Sequence, residues 1–392
     1  MRSARGSAER GALSPLLFTG FAVASIGGPL ALATIFVPQA VAGATGLAVL
    51  LGIVVFLAPL ALWLRYSERI TSPGGLTAFV EAAAGRRLAI AHAWIWILSY
   101  FLYLPYTVTF VVYDVLTPVF PGIAPVRPVL ELVLPIAVVL VVLAPLRALL
   151  AAVVAVAAAQ LVLVLVLAAV ELARAPRPTG SFATSALDPT ARQGAAVGLL
   201  FVCASLPLYL GGEVSGGPRT IRRGVGLAFA LVGTYVLLAA VPLAGVPAEL
   251  RDAAVPGAAI AQAYSGRPLA VVIGVATATS VAFLIVAEYV ALSRLLHWLH
   301  GFELRRVLLA IAVPFVAADA ISLVDPTRFY DDLVQPSLGA LFVSQLVVFA
   351  VYPLYRRRVA GRVGPLTIGA AAVASGLAAW GFYVLVGHGA AT

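Results

Sequence analysis

Apolar residues run in long stretches from one end of the chain to the other, separated by short segments rich in Arg, Gly and Pro. A helix needs about 20 mostly apolar residues to cross a bilayer core. Eleven stretches approach or exceed that length: 16–41, 44–64, 88–117, 129–145, 149–172, 194–214, 225–246, 268–297, 305–324, 333–355 and 364–387. A span in lipid must satisfy its own peptide groups, so the pattern predicts an all-α, multi-pass membrane protein. The first stretch exceeds the apolar core of a secretory signal, about 7–15 residues. We therefore read Ala40-Val41-Ala42 as part of a retained span and not as a cleavage site.

Two of these stretches are interrupted. The first carries Ser25-Ile26-Gly27-Gly28-Pro29 near its middle, and the sixth carries Ser205-Leu206-Pro207-Leu208-Tyr209-Leu210-Gly211-Gly212. Glycine costs about 1 kcal/mol and proline about 3 kcal/mol in a helix interior. Proline is tolerated where a helix begins, so Pro29 is expected to open an outer half-helix after an unwound Ser25–Gly28. Matching breaks in spans one and six are the pattern of an inverted-repeat transporter. Residues 15–173 then form one repeat, 194–358 its inverted copy and 364–387 an appended helix, within a single transmembrane domain. The polar stretch Arg174–Gln193 reads as an outer loop, and 248–267 as an outer segment with a short amphipathic helix.

Composition sharpens this picture. Hydrophobic residues make up 62% of the chain and charged residues 10%, with a mean hydropathy of +1.06. A soluble domain cannot hide that much apolar side chain. The net charge of +9 does not point to nucleic acid, because the arginines sit in short loops between apolar spans. With the N-terminus placed in the cytoplasm, eighteen of the 25 basic residues, all of them arginine and including Arg2, Arg5 and Arg10, fall on the cytoplasmic side. That bias predicts a cell-membrane protein with its C-terminus outside. A lone Cys203 and four dispersed histidines exclude a disulfide and a zinc cage.

The loop motifs resemble a known superfamily. Ser72-Pro73-Gly74-Gly75-Leu76-Thr77-Ala78-Phe79-Val80-Glu81-Ala82-Ala83-Ala84-Gly85-Arg86 is similar to the proline–glycine–glycine segment before span three of the amino acid–polyamine–organocation (APC) transporters. Ala93-Trp94-Ile95-Trp96-Ile97-Leu98-Ser99-Tyr100 resembles that family's opening of span three, with Ala93 in place of Gly. Glu213-Val214-Ser215-Gly216-Gly217-Pro218-Arg219-Thr220-Ile221-Arg222-Arg223 resembles its segment after span six, with Gly217 in place of Asn, and Ser293-Arg294 closes span eight in a family-like way. The resemblance runs from about residue 15 to 358 and lacks a twelfth span. It implies the five-plus-five inverted-repeat fold.

Within that frame the candidate residues separate by chemistry. An unwound Ser25-Ile26-Gly27-Gly28 exposes amides and the positive end of a half-helix, which suit a carboxylate. The resemblance implies that carbonyls around Ala204, Ser205, Leu206 and Pro207 hold an amine. It also places Tyr103 and Tyr106, one turn apart on span three, at the substrate site, though an aromatic belt explains them equally. Sodium-coupled relatives use span-eight hydroxyls, here Thr279 or Ser280, while Thr277, Ser280, Leu284 and Glu288 share one helical stripe. Glu288 is costly within a membrane, and it reads as a proton carrier, as a gate paired with Arg294 or another cytoplasmic arginine, or as part of a structural ion pair. Gln160 reads either as a hydrogen bond across to span one or as helix–helix glue. Glu213 is expected to open an inner half of span six, where a carboxylate suits the helix start. For Glu213 and Asp319 a structural role is preferred.

These readings predict a secondary active permease or exchanger of amino acids or related small amines. Tyr103, Tyr106 and Tyr209 favour neutral or aromatic substrates, as does the lack of an acid in the expected pocket. No cofactor is implied and no nucleotide-binding loop is present. The drive is therefore a proton or sodium gradient, or exchange. The expected partners are the lipid bilayer and the solute. A non-transporting sensor or scaffold of this fold is the first alternative, and a carrier of another small metabolite the second. Dispersed acids argue against an enzyme.

Overall fold

The computed structural model describes residues 13–184 and 187–389; Arg2, Arg5 and Arg10 lie outside them. Among the described residues ten helices are long and apolar enough to cross a membrane. In chain order they include α1 (Pro15–Ala40), α2 (Thr45–Tyr66), α3 (Arg86–Val119), α4 (Pro121–Val142), α5 (Leu146–Arg174), α6 (Leu187–Leu210), α7 (Gly217–Leu243) and α8 (Arg267–His300). The series continues with α9 (Leu304–Ser322), α10 (Pro326–Ala360) and α11 (Pro365–Gly387). Of these eleven, α9 is the one outside the apolar set: it carries Arg305, Arg306 and Asp319. All eleven predicted spans are therefore helical. A single parallel bridge between Leu13 and Val214 is the only strand-like pairing among the described residues.

Helix surfaces show which spans meet lipid. Along α5 the buried positions Leu149, Val153, Ala157, Gln160, Val164, Leu167 and Glu171 recur every three or four residues, forming one stripe. Val162, Leu165 and Leu172 on its other faces are exposed. Burial ranks the helices: 89% of the apolar window of α1 is covered, against 22% for α4 and 28% for α11. The centre is thus α1, wrapped by α5, α6, α7 and α8, with α3 packed on α8, α9 and α10. Some contacts exchange between the two halves in the manner of an inverted repeat, although the packing of α1 on α5 has no matching contact of α6 on α10 among the stronger ones. α1 packs on α7 and α6 on α2, while α1/α6, α2/α7, α3/α8 and α4/α9 each meet directly. α11 lies outside this exchange, against α10 and α2.

Several boundaries differ from expectation. The polar loop after α5 is shorter, because α6 begins at Leu187. Asp188 stands in its first turn, where it suits the helix dipole and pairs with Arg192 one turn on. The outer segment holds a helix at Pro256–Ser265 whose Pro256, Gly257, Ala258, Ile260 and Ala261 are buried, so it packs down onto the bundle. The largest departure is in α6. Its α-helical part stops at Leu200, and Phe201–Leu210 is a buried 3-10 helix containing Pro207. No α-helical inner half follows. Instead Gly211 to Glu213 turn the chain, and the next helix starts at Gly217. A 3-10 helix rises about 2.0 Å per residue against 1.5 Å, so ten residues reach about 5 Å further. The turn is held close: a Cβ on Gly211 would lie 3.0 Å from the Ser72 amide, and one on Gly212 2.9 Å from Pro73 Cδ.

Candidate functional site

The site is built on the break in α1. The helix ends at Ser25, and Ile26 caps it at φ −81°, ψ 75°. Gly27 and Gly28 have φ of 62° and 64°, the left-handed region that glycine tolerates without penalty. Pro29 then starts a new helical segment, as its fixed φ favours. This segment soon widens into a π-helical stretch, Leu32–Phe36, a feature frequent at functional sites. The predicted discontinuity and the place of Pro29 are both present.

α8 holds the break in position. Ser280 Oγ accepts from the Ala31 amide at 3.3 Å and donates to Gln160 Oε1 at 2.9 Å. Close contact, not only turn geometry, requires glycine here: a Cβ on Gly28 would sit 2.5 Å from Ser280 Oγ and 3.0 Å from the Ser280 carbonyl oxygen. One turn outward, the Thr34 and Thr277 hydroxyls bond at 2.9 Å. Gln160 therefore reaches α1 through Ser280, acting as a link between helices with no direct bond to span one among the described residues. Thr279 points elsewhere; it is half-buried and bonds back to the Val275 carbonyl at 2.8 Å. The Ser25 hydroxyl likewise bonds back to the Phe21 carbonyl at 2.7 Å.

Further along the α8 stripe, Thr277, Ser280, Leu284 and Glu288 are all buried. Neither oxygen of the Glu288 carboxyl has a hydrogen-bond partner. It lies within electrostatic reach of Tyr100, Tyr103, Tyr106 and Cys203. The expected pairing with Arg294 does not form. Six residues at about 100° each turn Arg294 well away from Glu288 around the helix. Arg294 Nε instead meets Glu213 Oε1 at 3.1 Å, with both side chains nearly buried. Beside that pair, the Leu13 amide donates to the Glu213 carbonyl at 3.0 Å, and the Ser215 amide to the Leu13 carbonyl at 2.9 Å. The start of α1 and the turn after α6 are thereby tied, closing this end of the bundle.

Aromatic rings continue the site in both directions. Tyr103 and Tyr106 lie 4.9 Å apart, and Tyr106 meets Tyr330 of α10 edge-on at 5.5 Å. Phe110 stacks on Tyr330 at 6.2 Å and on Phe36 at 6.0 Å. Phe36 and Phe110 belong to two π-helical stretches, one in α1 and one in α3. Towards Glu213, Tyr209 packs on Trp96 at 4.4 Å, and a Cβ on Gly75 would lie 2.6 Å from its ring. Tyr209 is thus packed between α3 and the Gly75 turn. Ala204, Ser205, Leu206 and Pro207 are buried in the 3-10 stretch beside α1, and the Ser205 hydroxyl bonds to the Val202 carbonyl at 3.0 Å.

Above the rings at the other end lies a vestibule of about 340 Å³, lined among others by Gln39, Thr109, Tyr113, Asp114, Tyr330 and Asp331. From its wall, Thr109 Oγ1 donates to the buried Glu131 Oε1 at 2.5 Å, and Ser322 Oγ donates to the same oxygen at 2.8 Å. The neighbouring Asp319 is buried with neither carboxyl oxygen bonded. Sequence reasoning passed over Asp114, Glu131 and Tyr330. Asp114 and Glu131 each carry one available signal, a charge inside a predicted apolar span; only their coming together with Tyr330 depends on tertiary packing. Tyr330 carries no such signal.

No family model and no curated protein matches the chain. Solved structures match over nearly its full length. The manganese transporter of Eremococcus coleocola, in complex with an aromatic bis-isothiourea substituted compound, superposes at a TM-score of 0.60. It shares 12% identity, with 97% of this chain and 91% of that chain covered. Mhp1, a nucleobase-cation-symport-1 family transporter in a closed conformation with bromovinylhydantoin bound, superposes at 0.52. It shares 13% identity, with 97% and 94% covered. At these identities the likeness carries the fold alone, an all-α architecture shared with membrane transporters.

Proposed function

We propose that the chain is a secondary active transporter that moves an amino acid or related small amine by alternating access around the break in α1. The observation carrying this reading is the discontinuity at Ile26–Pro29, buried at the centre of the bundle and clamped to Ser280. Peptide groups freed there have no use in lipid and need a polar guest. Of the amides before Pro29, those of Ile26 and Gly27 bond to the Val23 and Ser25 carbonyls at 3.3 and 3.0 Å, so the Gly28 amide is the one that suits a carboxylate. Carbonyls of the facing 3-10 stretch suit an ammonium through their second lone pair. Tyr103 and Tyr106 supply an aromatic wall, and Asp114 with Asp331 gives the vestibule an attraction for cations. Glu288 beside the tyrosines removes the sequence argument against positively charged amines. Among the described residues no three His, Cys, Asp or Glu side chains converge as metal ligands, so an organic solute fits this chain better than a metal ion.

A proton fits better than sodium as the coupling ion. The Ser280 hydroxyl is committed to Gln160 and Ala31, and Thr279 to its own turn. Glu288 has both oxygens free to exchange a proton. Glu213 and Arg294 form the gate at the closed end, which the arginine bias assigns to the cytoplasm of a cell-membrane protein. The test is a thermal-shift screen of purified protein over amino acids, amines and nucleobases at two pH values. A stabilising amine or amino acid whose effect disappears in Gly28→Leu is the expected result. Stabilisation that is indifferent to Gly28→Leu refutes the site.

A further inference from the structure

The end of the bundle closed by Glu213 carries a second recess, away from the break. Arg65 from the last turn of α2, Arg222 from the start of α7 and Arg356 near the end of α10 line a cavity of about 440 Å³ with Glu68, Ala61 and Leu64. Three guanidinium groups against one carboxylate leave an excess of positive charge around one small space, and like charges so gathered repel. Glu68 offsets part of it, with Arg222 Nη2 3.4 Å from its Oε1. Among the described residues Arg356 forms no ion pair, and its Nε is buried and has no hydrogen-bond partner. A desolvated guanidinium N–H without an acceptor is a standing cost, and its planar fork matches phosphate oxygens.

The surroundings of the recess say which phosphate. Leu57, one turn before Ala61 on α2, is 49% exposed, Leu227 on α7 is 60% exposed, and Leu354 on α10 is 51% exposed. These leucines face outward on the same three helices that bring the arginines together. The arginines stand at helix ends, where a span reaches the headgroup layer, and the exposed Leu57 and Leu227 lie about one to two turns further into the same helices. A free anion would use only the charge, whereas an amphiphile uses both surfaces. We propose that this recess binds the phosphate headgroup of an anionic phospholipid, with its acyl chains lying along Leu57 and Leu227. The lipid would bridge α2, α7 and α10. The site is independent of the transport reading.

The test measures retained lipid on the full chain by native mass spectrometry after reconstitution with mixed phosphatidylcholine and phosphatidylglycerol. Wild type is expected to keep phosphatidylglycerol preferentially. Arg222→Gln with Arg356→Gln should lower that preference about tenfold, with phosphatidylcholine retention unchanged. Glu68→Gln should raise it, an opposite sign that a purely structural role does not produce. Should the double variant fail to fold, Arg356→Gln alone is read the same way. Equal retention of the two lipids by wild type overturns the proposal. So does thermal stabilisation by inorganic phosphate or glycerophosphate that matches the lipid, which would make the ligand a soluble anion.

Discussion

Gly28→Ala probes the closest approach between α1 and α8. Gly28 sits at φ 64° with its would-be Cβ 2.5 Å from Ser280 Oγ and 3.0 Å from the Ser280 carbonyl oxygen. An L-residue in that backbone region costs about 1 kcal/mol or slightly more. Forcing a methyl into a packed contact costs about 1–3 kcal/mol. Moving Ser280 aside weakens its bonds to Ala31 and Gln160, each worth about 1 kcal/mol. The total is about 3–5 kcal/mol, or about two to nearly four orders of magnitude in the population of the clamped state. Gly43 is the natural control, since its φ is 66° and nothing lies within 4 Å of its would-be Cβ. Gly43→Ala therefore carries the backbone strain alone, about 1 kcal/mol. Apparent melting temperature and solute-dependent stabilisation are compared for the two variants in one detergent. Gly28→Ala should melt well below Gly43→Ala and lose solute stabilisation. Equal behaviour of the two would refute the clamp.

Other expectations follow from the same contacts. Glu213→Gln leaves Arg294 nearly buried without its counter-charge, a change worth about 3–5 kcal/mol in comparable buried pairs. The closed end should then open, and maleimide labelling of Cys203, the single and buried cysteine, should quicken about tenfold or more. Unchanged labelling would count against the gate. Ser280→Ala should lower the melting temperature, because it strands Gln160 and the Ala31 amide at about 1–3 kcal/mol. Thr279→Ala removes only a bond to its own turn and should stay within about 0.5 kcal/mol of wild type. An equal loss from both would show that α8 does not hold the break through Ser280.

How much was legible depended on whether the signal was local. Each span is a property of its own residues, so the helices and the break at Gly27–Gly28–Pro29 could be read directly. The stripe of Thr277, Ser280, Leu284 and Glu288 followed from helical period alone. Partner choice did not. Ser280 meets Ala31 across 249 residues and Gln160 across 120, and Glu213 meets Arg294 across 81. Spacing on one helix offered Arg294 to Glu288, yet rotation about α8 turned it to Glu213. The 3-10 form of Phe201–Leu210 was hidden for a related reason. Proline and two glycines announce an interruption, but whether the chain unwinds or tightens is decided by what packs on it, here α1 and the Ser72–Pro73 turn. The vestibule draws on α1, α3, α10 and the 254 segment, and no one stretch of sequence encodes it.

Uptake into proteoliposomes tests the central claim most directly. Purified protein is reconstituted, a proton gradient is imposed, and labelled amino acids and amines are supplied outside. The account predicts gradient-dependent accumulation of at least one of them, abolished by Gly28→Leu and uncoupled from the gradient by Glu288→Gln. Accumulation that survives Gly28→Leu, or a panel of such solutes that bind yet never cross, would contradict it.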